Sequence, residues 1–321
     1  MLVSVVICSH NSRLDYLGRV LDALRTQTLP AADWELCLVD NASREPLADR
    51  VDLAGLPSAR IVRNAVPELE AGLVDARSLG IRSTTGGIIT FVDDDNVLAP
   101  DYLAQAVAIA RAHPDLGAWS GNVTLLYEKP ELALPRELES VLCQRVVPTP
   151  LISKEVDNHP STPWGAGLCV RRELATAHLA KLEREPERRQ LDPVGRSMRF
   201  GGDTDMVYTG LEHGFSKGIF PELHVTHLIP PRRCDLAFVA RAIEAGGYSA
   251  TLHGWINTGT VTPPRTDWRY YVGELLRWPR RSRWQRLILR QQRRGHWRAY
   301  HELRDQKPRR FVGAPQPTPT P

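Results

Sequence analysis

The chain contains an apolar run that ends in three consecutive carboxylates. Residues 88–92 read Ile-Ile-Thr-Phe-Val and are followed directly by Asp93, Asp94 and Asp95. An apolar run of this length, rich in β-branched residues, is typical of a buried strand in a parallel sheet. Ligands of open α/β sheets bind just beyond the carboxyl ends of the strands. The three carboxylates therefore lie where a ligand is expected.

Three adjacent carboxylates repel one another, and a nearby cation relieves that repulsion. Oxygen ligands at the end of a strand suit Mg²⁺ or Mn²⁺, which keeps several waters and shares the phosphates of a substrate. The alternative is an acidic turn that caps the helix beginning near Pro100, because Asp and Asn favour turns. The remaining features of the chain favour the metal site.

Length and composition limit the class of protein. The chain has 321 residues, enough for one large domain or for a domain with appendages. It has no apolar run near the roughly 20 residues that span a bilayer. Residues 2–8 lack the basic lead of a signal peptide and are predicted to form the first strand. The five cysteines are scattered without a CxxC pair, which favours reduced thiols in the cytoplasm.

Short apolar runs alternate with segments of helical periodicity, which predicts βαβ units around a mostly parallel sheet. Three predicted strands end in polar loops at 9–13, 40–43 and 93–95. Right-handed crossovers place these loops along one edge of the sheet. Strands are predicted at 2–8, 35–39, 59–63, 88–92, 116–126, 168–170 and 223–229, and helices at 14–27, 72–82, 100–112, 173–182 and 201–212.

The glycine-rich motifs that grip phosphates are absent from the sequence. There is no GxGxxG after the first strand and no GxxxxGK[ST]. A nucleotide bound at this edge would therefore be held by side chains and a metal ion.

The chain resembles the family 2 nucleotide-sugar glycosyltransferases, which have the GT-A fold, over about residues 2–232. The resemblance lies in motifs that follow one another in the family's order. They are 3–7 with the turn Ser9-His10-Asn11, the strand end Leu38–Ser43, the helix Asp75–Ile81, the DxD-like Phe91–Asp95, the pair Gly202-Asp203 and the segment His227–Pro231.

The resemblance implies a role for each matching residue. Asp203 would be the general base that removes the acceptor proton. Asp95, with Asp93 as a second ligand, and His227 would hold the metal ion. Donor contacts would come from Cys8, His10, Asp40, Arg77, Asp93 and Asp94.

The sequence departs from the family pattern at four positions. Cys8 and His10 stand where relatives often have Thr and Tyr, and Ser78 replaces the usual Asn. Gly202 stands where many members carry the Glu of a Glu-Asp pair. Only the second carboxylate of that pair, Asp203, therefore remains.

Each candidate residue also has a purely structural interpretation. Trp164, beside Gly165-Ala166-Gly167, suits either the face of an acceptor sugar or the core. Asp205 is the fallback for the base. The structural roles that compete with function are a turn cap for Asp40, a solvated ion pair with Asp75 or Glu70 for Arg77, an N-cap for Asp203 and a core position for His227.

We predict a GT-A domain over 1–235, with a nucleotide-sugar half at 1–126 and an acceptor half at 127–235. The irregular stretch 127–163 is long enough to be functional. A basic helical extension follows at 236–312, and the Pro/Thr tail at 313–321 is predicted to be disordered.

The extension concentrates the positive charge of the chain. Residues 265–310 contain 15 Lys and Arg against four Asp and Glu, interleaved with Trp and Leu. This composition favours peripheral contact of 265–312 with an anionic membrane at the inner face of the cell membrane. Nucleic acid is not expected, since no binding motif accompanies the charge. An ordinary solvated appendage is the third interpretation.

The leading functional hypothesis is a metal-dependent, inverting glycosyltransferase that uses a nucleotide-sugar donor and a glycan or lipid-linked acceptor in surface polysaccharide synthesis. A sugar-phosphate nucleotidyltransferase would carry a glycine-rich basic loop after the first strand, and residues 9–13 contain no glycine. A catalytically inactive scaffold with the same fold is the third hypothesis. The retained carboxylates count against it.

Overall fold

The computed structural model describes residues 2–67, 72–156, 159–194 and 197–308. Within these ranges nine strands form one sheet, in the order β3-β2-β1-β4-β8-β6-β9-β5, with β7 paired to β9. The strands are β1 Val3–Ser9, β2 Trp34–Asn41, β3 Arg60–Asn64, β4 Ile88–Asp93, β5 Asn96–Leu98, β6 Leu116–Tyr127, β7 Leu151–Ser153, β8 Cys169–Arg171 and β9 Ser216–Ile229. The α-helices are α1 Leu14–Arg25, α2 Leu73–Arg82, α3 Tyr102–Ala112, α4 Arg136–Glu139, α5 Arg172–Arg184, α6 Gly202–Glu212, α7 Leu236–Thr258, α8 Trp268–Arg277 and α9 Arg283–Leu303.

Alternate residues of β1 face two different layers of helices. Val3, Val5 and Ile7 pack with α1 and α3, whereas Val6 packs with α2, α5 and α6. Successive side chains of a strand point to opposite faces, so a strand covered on both sides needs apolar residues throughout. The predicted α/β class, with a mostly parallel sheet flanked by helices, is confirmed.

The parallel strands bring three polar loops to one edge. β2, β1 and β4 are neighbours, with Ser9 opposite Asp40 and Cys8 opposite Asp93. The prediction that the loops after these strands share an edge is therefore confirmed. The carboxylates of β4 emerge beside the turn that follows β1.

The second half of the sheet folds back toward that edge through antiparallel pairings. β8 is antiparallel to β4 and to β6, and β9 runs parallel to β6. β5 begins directly after Asp95 and pairs with β9, with Asn96 opposite His227. A residue far along the chain is thereby placed next to the acidic cluster.

Two strands and half of a third were not predicted. β5 and β7 are three residues long, too short for a period-two pattern to be visible. β9 was predicted from residue 223 but begins at Ser216. Pro221 hid its first half, because proline interrupts a strand pattern. The pairing with β6 skips residues 221–223, where the ladder is irregular.

The C-terminal helices α7 and α9 pack against the sheet domain and against each other. α7 and α9 share an apolar cluster that includes Leu191, Tyr248 and Leu303. They approach closely at Gly295, where a Cβ would lie 1.9 Å from the carbonyl oxygen of Glu244. None of the helices in the described ranges is long and apolar enough to cross a membrane. The predicted tail at 313–321 lies outside the described residues.

We predict that the buried imidazole of His178 makes the fold sensitive to acid. It packs between α5 and α6, where its Nδ1 lies 3.1 Å from Thr209 Oγ1, and burial lowers its pKa to about 4. Because the unfolded chain binds this proton first, stability falls as the pH drops from about 6.5 to about 4. His178→Gln should lack that loss, which is about 2–3 kcal/mol at the acid end.

Urea unfolding of both proteins along this pH range measures the difference, with the exposed His213→Gln as control. A stability difference between His178→Gln and the parent that does not change with pH would contradict the prediction.

Candidate active site

The three carboxylates after β4 have different partners. Asn96 Nδ2 donates to Asp93 Oδ2 at 2.8 Å, and Ser9 Oγ donates to Asp94 Oδ2 at 2.8 Å. Asp95 is buried and faces His227 and Arg233. The helix α3 has Asp101 at its N-cap position, without a side-chain cap. The acidic cluster therefore does not cap that helix, and the prediction of a capping acidic turn is wrong.

The pKa values of these three carboxylates are shifted in opposite directions. Burial and the charge of Asp95 raise the pKa of Asp93, and the same two causes raise the pKa of Asp94 to about 6. Burial also acts to raise the pKa of Asp95, but its contacts with His227 and Arg233 lower it overall. Asp95 is therefore the member of the cluster that stays ionised most readily.

The imidazole ring of His227 lies beside Asp95 and Arg233. Its Nδ1 lies 2.9 Å from the carbonyl oxygen of Leu142 and donates to it, which leaves Nε2 as the acceptor. Nε2 is 3.6 Å from Asp95 Oδ2. The guanidinium of Arg233 contacts both groups, with Nη1 2.7 Å from Nε2 and Nη2 2.9 Å from Oδ2. A positive charge already sits between the two predicted metal ligands.

The donor set fits a divalent ion whose shell is completed by a substrate. A carboxylate oxygen and an imidazole nitrogen lie close together, and the histidine tautomer is fixed by a carbonyl, as is usual for metal ligands. Asn96 Oδ1 is buried beside them and has no hydrogen-bond partner among the described residues. In the described ranges, no group of three or more His, Cys, Asp or Glu side chains could hold a metal by itself. Further ligands must come from waters or phosphates.

Arg77 is buried next to both carboxylate groups of the site. Its Nη1 lies 3.1 Å from Asp192 Oδ2. A Cβ added at Gly165 would lie 3.0 Å from Arg77 Nη2 and 3.3 Å from Asp203 Oδ2. Burial acts to lower the pKa of Arg77, but the charges of Asp192, Asp93 and Asp203 raise it overall.

The structural interpretation of Arg77 as the partner of Asp75 in an ion pair on a solvated helix face is wrong. Arg77 is buried, and the Asp75 carboxylate instead pairs with Arg189. Glu70, the second predicted partner, lies outside the described residues.

Asp203 is the second residue of α6, whose N-cap position is Gly201. Its Oδ2 accepts from the backbone amide of Gly165 at 2.7 Å, and its Oδ1 accepts from the amide of Thr204 at 2.7 Å. It is thus not the N-cap, although it does bind one amide of the first turn. The side chain is half-buried.

Asp205, the fallback base, has a structural role. Its carboxylate is buried, pairs with Arg188 and lies 3.3 Å from His253 Nε2. These contacts tie α6 to α7. An acceptor cannot reach a carboxylate that is enclosed in this way.

The carboxylates after β4 and Asp203 act on the same two neighbouring residues, Cys143 and Arg77. Cys143 is partly buried, and burial, followed by the charges of Asp203 and Asp93, raises the pKa of its thiol to about 12. Arg233 and Asp95 act on the same thiol. The charges of Asp93 and Asp203 also act together on Arg77, whose pKa they raise. Both predicted carboxylate groups therefore lie near Arg77 and Cys143.

The remaining predicted donor and acceptor residues differ in their exposure and their partners. His10 is exposed, and its Nδ1 lies 2.7 Å from the carbonyl oxygen of Asn41. Cys8 is partly buried, and burial raises the pKa of its thiol. Trp164 is half-buried, and Arg145 stacks on its ring with Cζ 3.4 Å from the centroid. Arg145 therefore covers one face of the Trp164 ring, whether the residue belongs to the core or binds an acceptor sugar.

Asp40 forms the turn that its structural interpretation predicts. Its Oδ1 accepts from the amide of Ser43 at 2.9 Å, while Oδ2 accepts from Leu47 N at 3.2 Å and from Arg63 Nη1 at 2.6 Å. Burial acts to raise the pKa of this carboxyl, but these bonds lower it overall. Its donor contact remains a prediction.

Sequence reasoning missed three residues of the site, which are Cys143, Asp192 and Arg233. All three lie in loops or single helical turns, where periodicity carries no information. The sequence contains a weak indication of Arg233, because this residue lies two positions after Pro231. Pro230 and Pro231 end the strand that carries His227. Asp192 and Cys143 had none that a single sequence reveals.

The fold and the position of the acidic site define a GT-A-type α/β protein. The structure of TarS from S. aureus has a TM-score of 0.54 at 12% identity, covering 94% of this chain and 55% of that one. The structure of GalNAc-T7 with UDP, GalNAc and Mn²⁺ has a TM-score of 0.51 at 18% identity, covering 71% and 44%. At these identities the likeness shows the fold.

The sequence identifies the family. Residues 4–176 match the model of glycosyl transferase family 2, and the chain belongs to this family. An uncharacterized glycosyltransferase of Haemophilus influenzae is 21% identical over 155 residues, 48% of each chain. The O-antigen biosynthesis protein RfbC of Myxococcus xanthus is 27% identical over 115 residues, which are 36% of this chain and 9% of that protein. The chain thus spans about half or less of these relatives.

Proposed function

We propose that this chain transfers a sugar from a nucleotide diphosphate sugar to a hydroxyl group of a glycan or lipid-linked acceptor, with inversion at the anomeric carbon. The observation that carries the proposal is the buried Arg77, which lies beside Asp203 near Gly165 and on which the charges of Asp93 and Asp203 both act. Membership of family 2 supports the reaction class. The name of the Myxococcus relative supports a surface polysaccharide as the product.

The chain's own residues suit the two ends of this reaction. Asp203 accepts the proton of the acceptor hydroxyl, whose oxygen then displaces the nucleoside diphosphate at the anomeric carbon. Direct displacement from the opposite face inverts that carbon. Arg77 pairs with the diphosphate as its charge develops, because a guanidinium matches phosphate oxygens in geometry. Asp93, Asp94, Cys8 and His10 contact the nucleoside part of the donor.

The proposed cofactor is Mg²⁺ or Mn²⁺, held by Asp95 and His227. GalNAc-T7, which shares the fold, binds Mn²⁺ together with UDP. When bound, the ion would neutralise the leaving diphosphate as a Lewis acid. Asp95 has the lowered pKa that a ligand requires, and the Nδ1–H bond of His227 leaves Nε2, which Arg233 contacts, as the nitrogen that would bind the ion.

Asp203→Asn is expected to bind donor normally and to turn over at least about 10²-fold more slowly, because the amide cannot accept the acceptor proton. Initial rates across a panel of nucleotide sugars, together with calorimetry of donor binding, measure both quantities. The exposed Asp305→Asn is the matched control. Near-normal turnover of Asp203→Asn would move the base elsewhere.

Mn²⁺ is expected to lower the Kd of the parent for the donor. In His227→Ala this Mn²⁺-dependent gain in affinity should be smaller by at least about 10-fold. Calorimetric titration with UDP-, GDP- and dTDP-sugars, with and without Mn²⁺, measures the gain. His213→Ala, at the exposed end of α6, is the control. Donor binding that does not respond to Mn²⁺ would rule out the cofactor. The absence of donor binding under every condition would favour a scaffold.

We also propose that α8 contacts an anionic membrane at the inner face of the cell membrane, where it would meet a lipid-linked acceptor. Trp268, Val272, Leu275 and Leu276 recur at helical spacing and are exposed, Leu275 by 72%. Arg277 and Arg280 follow them directly. An exposed apolar face beside arginines suits a helix lying in an anionic interface.

Flotation with vesicles tests this contact. The chain should float with vesicles that contain phosphatidylglycerol and not with phosphatidylcholine alone, since the charge supplies part of the affinity. Leu275→Glu combined with Leu276→Glu should abolish flotation, whereas Leu132→Glu, at an exposed apolar residue elsewhere, should leave it intact. Equal flotation of the α8 variant, or no flotation of the parent, would contradict the proposal.

A further inference from the structure

Asp192 is a buried carboxylate that the proposed reaction leaves without a role. It lies between the 3₁₀-helix 186–191 and α6. Its Oδ1 accepts from the amide of Gly202 at 3.0 Å, and its Oδ2 lies 3.1 Å from Arg77 Nη1. The amides of the first turn of a helix have no partner within the helix and attract anions. Asp192 thus joins the start of α6 to Arg77.

The carboxylate of Asp192 fills the space where a side chain of residue 202 would begin. A Cβ at Gly202 would lie 2.3 Å from Asp192 Oδ2 and 2.5 Å from its Cγ. Gly202 is the first residue of α6 and, unlike Gly201, does not have a positive φ. Its lack of a side chain is therefore a requirement of space and not of backbone conformation.

The same carboxylate balances the buried charge of Arg77. Among the charges that act on Arg77, that of Asp192 is the largest, followed by those of Asp93 and Asp203. A folded protein is strongly destabilised when a buried guanidinium loses its charged partner. Arg77 Nη2 lies near Gly165, whose amide donates to Asp203. A shift of Arg77 would therefore disturb Asp203 as well.

We propose that Asp192 is a positioning residue, which holds Arg77 and the first turn of α6 so that Asp203 stays fixed beside Gly165. It supplies from the preceding loop the carboxylate that residue 202 lacks. This inference rests on the proposed transferase function.

The first test is Asp192→Asn, which keeps the shape and the acceptor for the Gly202 amide but removes the charge. We expect kcat to fall by between about 10-fold and 100-fold, because Arg77 and Asp203 lose their alignment. The KM for the donor should change by less than about 3-fold. A fall in melting temperature with unchanged kcat would show a merely structural role and would overturn the proposal.

The second test moves the carboxylate to residue 202. Gly202→Glu alone should lose activity, because its Cβ meets Asp192. Asp192→Ala combined with Gly202→Glu should recover most of the kcat that Asp192→Ala loses. Asp192→Ala combined with Gly202→Gln, which has the same shape without the charge, should not. Equal kcat of the two double variants would overturn the proposal.

Failure of the inference can be distinguished from failure of the proposed function. If the parent transfers no sugar, the function fails, and the inference is then tested by thermal unfolding of the same variants. The Glu double variant should then melt higher than the Gln double variant, because only the carboxylate pairs with Arg77. Equal melting temperatures would overturn the inference by itself.

Discussion

The buried guanidinium of Arg77 is the interaction on which the site depends. It sits among Asp93, Asp192 and Asp203, which come from three separate parts of the chain. Without its charge these carboxylates would repel one another, and burial already raises the pKa of Asp192 to about 6. Because α2 packs tightly against the sheet, the arginine is held in place by the core. The geometry of the site is thus set by the same packing that stabilises the fold.

Sheet topology explains how distant residues reach this arginine. The parallel strands β2, β1 and β4 bring their polar ends together, and the short antiparallel strand β5 then turns the chain toward β9. That pairing carries His227 and the following Arg233 to Asp95. Arg233 occupies the position of a cation between the two predicted ligands, so a metal ion in this site would have to displace it.

The sequence was informative where periodicity and strand order constrain the chain. The apolar run before Asp93 identified a buried strand, and parallel pairing then fixed the edge on which Asp40, Asp93 and the turn after β1 meet. The family resemblance indicated Asp203 and His227, whose spatial closeness to the acidic edge no spacing could reveal. Asp192, Arg233 and Cys143 escaped prediction because loop residues have no period and their partners lie far along the chain. The burial of Arg77 was equally hidden, since Asp75 and Glu70 offered it nearby carboxylates in the sequence.

The central claim is that the acidic edge and Asp203 act on one donor molecule. The most direct measurement is a crystal structure of the chain with Mn²⁺ and an intact nucleotide sugar. We expect the diphosphate between Arg77 and Asp95, and the anomeric carbon facing Asp203 with room for one acceptor hydroxyl between them. A donor bound in a different cleft, or with its anomeric carbon turned away from Asp203, would contradict it.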